Sequence, residues 1–213
     1  MDFLDPRIEE YALAHTAPES DVLQELNRET WQKVLIPRML SGHLQGRVLS
    51  MLSKMMQPQN ILEIGTYTGY SALCMAEGLA DGGELHTIDI NEELETMISR
   101  YIDKAGYTDR IHLHIGNALE IIPALNKTWD MVFIDADKEN YATYFDLVVD
   151  RVRTGGIIIA DNVLWSGKVL DEPNPKDEET IALKAFNQKV LEDDRVESLL
   201  LPVRDGLMML RKL

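Results

Sequence analysis

Two short apolar runs in this chain end in residues that hold cations. Asp130-Met131-Val132-Phe133-Ile134-Asp135-Ala136-Asp137-Lys138 and, one βα unit later, Gly155-Gly156-Ile157-Ile158-Ile159-Ala160-Asp161-Asn162 each have strand length and finish in carboxylates or a carboxamide. Adjacent buried strands of this kind deliver Asp135, Asp161 and Asn162 to one sheet edge, and open parallel sheets bind ligands at the edge made by the carboxyl ends of their strands. Three oxygen donors are too few to enclose a divalent ion but enough to hold one with positions open for water or substrate, as hard cations such as Mg²⁺ prefer. Lys138, one turn past Asp135, adds an acid–base group beside that ion. Each residue also has a plainer reading: strand-end aspartates cap helices, and Lys138 can pair on the surface with Asp137 or Glu139. Capping, however, requires neither Asn162 directly after Asp161 nor a lysine one turn from Asp135.

The elements that must position these groups follow from apolar periodicity. Residues 1–57 contain no convincing strand, and their apolar positions, such as Val48, Leu49, Leu52 and Met55-Met56, recur at helical spacing. From Asn60 onward the pattern becomes short β-rich runs alternating with helical stretches: Ile61–Ile64, Leu85–Asp89, Ile111–Ile115, Met131–Ile134 and Ile157–Ile159. That alternation predicts a parallel sheet with crossover helices. Val196–Leu201 and Leu207–Leu210 are joined by a connection too short for a helical crossover, which predicts an antiparallel hairpin. A surface loop at 171–177 precedes a helix of roughly Glu178 to Leu191.

The first of these strands runs into Glu63-Ile64-Gly65-Thr66-Tyr67-Thr68-Gly69-Tyr70-Ser71, where a doubly wound fold carries its cofactor loop. A dinucleotide fingerprint needs glycine two residues after Gly65, and Tyr67 there would crowd a pyrophosphate, which disfavours NAD. The second strand ends in Asp89, at the distance where an acidic residue accepts hydrogen bonds from ribose hydroxyls. A ribose-bearing cofactor without a pyrophosphate fits both. Taken singly, the turn can serve packing alone, and Asp89 can be a helix cap in competition with Asn91.

The chain has 213 residues, 45% hydrophobic and 27% charged, which fits one α/β domain with a sizeable core. A net charge of −15 without clustered Lys or Arg argues against nucleic acid and anionic membranes as partners. Cys74 is the only cysteine, so neither an intramolecular disulfide nor a cysteine zinc cluster is expected. With no stretch of transmembrane length and an acidic start, Met1-Asp2-Phe3-Leu4-Asp5-Pro6, a cytoplasmic location is expected. The five histidines form no ligand spacing, except that His112 and His114 share one strand face; His43 lies in the helical preface and its role is open. Met51, Met55 and Met56 read as core or subunit-interface packing.

In order and spacing, the segments 63–71, Ile88-Asp89-Ile90, Phe133–Lys138 and Asp161-Asn162-Val163-Leu164-Trp165 with Gly167 resemble the cation-dependent catechol and caffeoyl-CoA O-methyltransferase family, which uses S-adenosylmethionine. The likeness spans nearly the whole chain. It implies an α/β, Rossmann-like methyltransferase fold: a mostly parallel seven-stranded sheet with a reversed last strand and an N-terminal helical extension. It implies a single domain over 1–213, with 1–57 as helical lid and 58–213 as cofactor- and metal-binding core. Asp135, Asp161 and Asn162 then correspond to the metal ligands (Mg²⁺, with Mn²⁺ or Ca²⁺ as alternatives), and Lys138 to the general base. Glu63, Gly65, Tyr67, Gly69 and Ser71 correspond to residues lining the methionine end of the cofactor, with Asp135 bordering it. Asp89 corresponds to the ribose contact, and Ile90, Ala118 and Asp137 to the adenine border. Met39-Leu40-Ser41-Gly42 matches more loosely the segment that closes over cofactor and acceptor, with Ser41 near the methionine carboxylate. Family members are commonly dimers, so a homodimer is expected.

Methyl transfer from a sulfonium is an in-line displacement that requires a positioned, deprotonated oxygen nucleophile. A chelated cation stabilises the phenolate of a vicinal-dihydroxy aromatic, and Lys138 can accept the departing proton once the nearby cation lowers its own pKa. Two departures bear on the acceptor. The mammalian catechol enzymes hold the second hydroxyl with a glutamate on the strand before the last hairpin, and about Leu199 stands at that position here, leaving Arg204 and Asp205 of the turn, or the metal alone, to do so. The plant enzymes bind coenzyme A through basic residues near the N-terminus, whereas Arg7, Arg28, Lys33 and Arg38 are scattered, so a small catechol-like acceptor is expected rather than a CoA ester. Trp165 can line the acceptor pocket or cover core. The alternatives are a methyltransferase acting on RNA or protein, a noncatalytic cofactor-binding module, and a nicotinamide-dependent dehydrogenase.

Overall fold

The computed structural model describes residues 5–213, so the start Met1–Leu4 lies outside the described residues. Three helices precede the sheet: α1 (Pro6–Ala14), α2 (Asp21–Lys33) and α3 (Gly42–Met56). Asp5 caps α1 and Ser20 caps α2, each accepting from a backbone N–H of the first turn. Then come β1 (Asn60–Ile64), α4 (Tyr70–Ala76), β2 (Glu84–Asp89), α5 (Glu95–Lys104), β3 (Ile111–Ile115), α6 (Ala118–Leu125), β4 (Trp129–Ile134), α7 (Tyr141–Val148), β5 (Val152–Ala160), α8 (Glu178–Glu192), β6 (Val196–Leu201) and β7 (Leu207–Lys212). Among the described residues no helix is long and apolar enough to cross a membrane.

The seven strands lie in the order β3-β2-β1-β4-β5-β7-β6; β1 to β5 run parallel, and β7 is antiparallel to both β5 and β6. The α/β fold with a reversed last strand is thus the one expected. Along each central strand side chains alternate between two cores. Leu62, Ile64, Val132, Ile134, Ile158 and Ala160 face one cluster with residues of α6, α7 and α8, whereas Ile61, Met131, Phe133 and Ile159 face the other, with residues of α2 to α5. Leu49 is wholly buried in the second cluster and anchors α3 to the sheet with the roughly 1.5–3 kcal/mol such burial supplies.

Three expectations change. The fifth strand begins at Val152 rather than Ile157, because the β4–β5 register shifts between Trp129 and Met131 and lets the pairing resume upstream of Gly155, whose φ is +78°. Met51 and Met55 are exposed, which leaves interface packing and removes core packing as their reading. The histidines, separate in sequence, meet across strands: parallel pairing sets His86 opposite His112 and Ile88 opposite His114. Burial, then the neighbouring His112, pushes the His86 imidazole down to about 4. His43 is 2.8 Å from the Ala17 carbonyl, to which its ring nitrogen donates. Cys74 is buried, and burial pushes its thiol up to about 12, as suits a packing residue.

Candidate active site

Strand order reverses between β1 and β4, and at such a switch point the loops leaving the strands diverge and open a crevice. Backbone hydrogen bonds carry the sheet one residue past its strands: Asp135 N to Ile64 O (2.8 Å), Gly65 N to Ile88 O (2.9 Å) and Asp161 N to Ile134 O (2.9 Å). Gly65 turns at φ +99°, and a Cβ there would stand 1.9 Å from the Asp135 carbonyl oxygen, so no other residue fits between the two loops. Tyr67 N donates to Asp89 Oδ2 (2.7 Å) and Asn91 N to Asp89 Oδ1 (2.9 Å), which ties the glycine turn to the end of β2. Asn91, not Asp89, caps the short helical turn that follows. The Tyr67 ring reaches up to the preface, its hydroxyl 3.3 Å from the carbonyls of both Leu35 and Ile36.

Met39, Leu40 and Ser41 meet Gly65, Thr66, Tyr67, Tyr70, Ser71 and Asp135 around one cleft, so the loosely matched preface segment does close over the glycine turn. Gly69, at φ +88°, starts α4. At the far side Ile90 holds its apolar side chain 78% exposed, and Ala118 opens α6 behind its cap Asn117. The Asp137 carboxylate accepts from Tyr144 Oη at 2.6 Å and from Asn140 Nδ2, which ties it to α7.

Glu63, two residues before Gly65 on β1, is wholly buried; Thr87 donates to Oε2 and Oε1 has no hydrogen-bond partner. Burial raises its pKa to about 8. A carboxyl group raised in this way stabilises the fold fully below the unfolded value near 4.5, and that contribution is lost as pH rises through about 8. The ligand-free protein is therefore expected to lose thermal stability between pH 5 and 8, by at most about 1.4 kcal/mol per unit. Glu63→Gln should flatten that slope in differential scanning calorimetry; an unchanged slope would assign it to other groups.

Asp135, Asp161, Asn162 and Lys138 converge, as the sequence predicts. Lys138, buried to 6% exposure, donates from Nζ to Asp135 Oδ1 (3.1 Å), Asn162 Oδ1 (3.0 Å) and Tyr141 Oη (2.6 Å). Asn162 sits at φ +59°, a left-handed conformation that asparagine tolerates better than most residues and that turns its carboxamide back to Lys138. Asp161 is buried; burial first, and repulsion from Asp135 second, raise its pKa to about 7. The site thus gathers two carboxylates and a carboxamide beside Lys138 Nζ, which bonds Asp135 and Asn162 directly. That donor set fits a hard divalent cation. The Asp161 carboxylate accepts from Gln45 Nε2 (2.6 Å) and from the Asn162 N–H (2.7 Å).

Gln45, Tyr141 and Arg204 act here without having been singled out for these contacts. Gln45 lies on the buried stripe of α3 with Gly46 and Leu49, and an amide on such a stripe is the one signal that could have marked it. Tyr141 accepts from Lys138 and is 3.0 Å from the Asp161 carbonyl, to which it donates, so it braces the lysine. Arg204 does not face an open acceptor site: its guanidinium bonds the Leu40 and Ser41 carbonyls and lies 3.5 Å from Gln45 Oε1. Asp205 accepts from Ser166 N at 2.6 Å. Leu199 is exposed on β6. Trp165 packs on the α6–α8 core, with Lys138 Nζ 5.8 Å from its ring centre.

The family model described as O-methyltransferase matches residues 13–213. A caffeoyl-CoA O-methyltransferase of Nicotiana tabacum is 34% identical over 206 residues, which cover 92% of this chain and 85% of the tobacco protein. Among solved structures, an O-methyltransferase from Bacillus cereus in complex with S-adenosylhomocysteine superposes with a TM-score of 0.89 at 29% identity, covering 97% of each chain. An S-adenosylhomocysteine-bound methyltransferase from Podospora anserina does so with a TM-score of 0.89 at 30% identity, covering 98% of this chain and 94% of its own. With the reversed last strand and the cleft at the switch point, these likenesses make the chain an enzyme, and it belongs to the O-methyltransferase family.

Proposed function

We propose that this enzyme transfers a methyl group from S-adenosylmethionine to one hydroxyl of a small vicinal-dihydroxy aromatic, with the help of a divalent cation. The convergence of Asp135, Asp161 and Asn162 on the buried Lys138 carries this reading. Asp135, Asp161 and Asn162 hold the cation, Mg²⁺ first by donor type and Mn²⁺ or Ca²⁺ as alternatives. When bound, the cation supplies Lewis-acid stabilisation of the acceptor phenolate. The bound cation would favour the neutral amine of Lys138, whose Nζ then accepts the hydroxyl proton, and Tyr141 keeps that nitrogen beside the ligands.

On the cofactor side, the unpartnered Glu63 Oε1 suits an ammonium group such as that of the cofactor's methionine end. Gly65, Tyr67, Gly69, Ser71 and Ser41 line that end, and Asp135 borders it. Asp89, held by Tyr67 N and Asn91 N, faces the ribose, and Ile90 with Ala118 and Asp137 borders the adenine. The segment 1–57, helical over much of its described residues, serves as lid to the core 58–213 of a single functional domain. Water excluded by this lid favours a reaction in which sulfonium and phenolate charges annihilate. The exposed Trp31, Leu35, Met51 and Met55 support assembly as a homodimer, and a single buried cysteine suits the cytoplasm.

The acceptor class is tested by offering 3,4-dihydroxybenzoate and 3-hydroxybenzoate with S-adenosylmethionine and following products by mass spectrometry. The diol should be monomethylated, and the monohydroxy compound, which cannot chelate, should turn over at least about a hundredfold more slowly. Equal rates would overturn the chelated-diol reading.

A further inference from the structure

On the opposite face of β2 from Thr87 and Asp89, a second group of ligating side chains lies outside the site described above. Glu84 and His86 project from β2 and His112 and His114 from β3, the edge strand of the sheet. One ligand atom from each of Glu84, His86 and His112 can be chosen so that all lie within 4.8 Å of one another. Glu84 Oε2 is 3.1 Å from His112 Nε2 and 3.5 Å from His86 Nε2. Ligands at tetrahedral angles and about 2.0–2.1 Å from a zinc ion stand roughly 3.3 Å apart, so both separations match edges of such a site.

The tautomers also suit a metal. His86 is 6% exposed, and its Nε2, aimed at Glu84, has no hydrogen-bond partner. Its other nitrogen, Nδ1, is 2.9 Å from His114 Nε2. When Nδ1 donates to His114, Nε2 carries a lone pair directed at the gap between Glu84 and His112, which is how an outer partner orients a metal-bound imidazole. Glu84 is prepared in the same way: Lys127 bonds Oε1 and leaves Oε2 to the imidazoles. His112 and Glu84 are 39% and 31% exposed in their side chains, which gives an ion a path from solvent.

We infer that Glu84, His86 and His112 form a second metal site, for a borderline divalent transition ion such as Zn²⁺, that clips the edge strand β3 to β2. Two imidazole nitrogens and one carboxylate oxygen select this class over Mg²⁺ and Ca²⁺, which take oxygen ligands. Side-chain alternation puts the site on the other face of the sheet from Asp89, three residues and about 10 Å of extended chain away from it. It is therefore independent of the proposed cofactor and catalytic cation.

Zinc titration by calorimetry of the whole protein in saturating Mg²⁺ tests the inference, comparing wild type with His112→Gln and Glu84→Gln, both at partly exposed positions. Each variant should lose one equivalent of bound Zn²⁺ or bind it at least tenfold more weakly, and any zinc taken up elsewhere should be common to all three proteins. Co²⁺ added to wild type should give visible d–d absorption of tetrahedral intensity that His112→Gln lacks. Circular dichroism checks that the variants are folded. Equal stoichiometry and affinity in wild type and both variants, or octahedral-type Co²⁺ absorption unchanged by His112→Gln, would overturn the site.

Discussion

Asp161→Ala should reduce metal-dependent turnover by at least about a thousandfold, because the stabilisation of developing charge by a bound cation amounts to several kcal/mol. S-adenosylmethionine affinity, read by calorimetry, should stay within about threefold of wild type, since Asp161 is not among the proposed cofactor contacts. Asp161 is wholly enclosed and accepts from Gln45, so the alanine also strands a buried donor and lowers stability. Asp161→Asn helps separate the two effects: it keeps the volume and one of the two acceptor oxygens while removing the charge. The activity loss should persist in full in Asp161→Asn, whereas the stability loss should be smaller than in the alanine variant. Full activity in either variant would remove Asp161 from the metal site.

The second large effect concerns Lys138. Lys138→Ala should lower kcat by about 10²–10⁴-fold, the range for loss of a general base, while the acceptor KM changes little. Part of the loss should return at high pH, where the acceptor reaches the site already deprotonated. Burial between Asp135, Asn162 and Tyr141 allows a competing role, in which the lysine merely supplies positive charge. Lys138→Arg distinguishes them, because a guanidinium keeps the charge and does not deprotonate in this range. If Lys138 moves a proton, the arginine variant should be nearly as slow as the alanine one; recovery of most activity by arginine would make Lys138 a charge-positioning group.

The parts of the site that were legible in the sequence are those in which adjacent residues share one strand end. Asp161-Asn162 and Asp135 follow directly from apolar runs that stop, and sheet geometry does the rest. What escaped depends on contacts between distant segments. The hydrogen bond from Gln45 to Asp161 spans 116 residues and follows from the angle at which α3 crosses the sheet, which no local pattern encodes. The same holds for Arg204, whose left-handed turn, at φ 50°, aims its guanidinium at the carbonyls before α3. Sequence reasoning offered Arg204 as an acceptor contact; the structure uses it to latch the preface to the β6–β7 turn. The histidine cluster was invisible for a related reason, since strand register, not spacing, decides that His86 meets His112.

This arrangement would tie the proposed cofactor, cation and lid sites into one unit: Gly65 packs on Asp135, Asp135 pairs with Lys138, and Asp161 reaches Gln45 of α3. Its central claim is that methyl transfer needs the cation held there. The most direct measurement is S-adenosylhomocysteine release from S-adenosylmethionine and 3,4-dihydroxybenzoate, with added Mg²⁺ against excess chelator. Release with Mg²⁺ and its loss on chelation, restored when Mg²⁺ is returned, is the predicted result; release at the same rate in chelator would contradict the account.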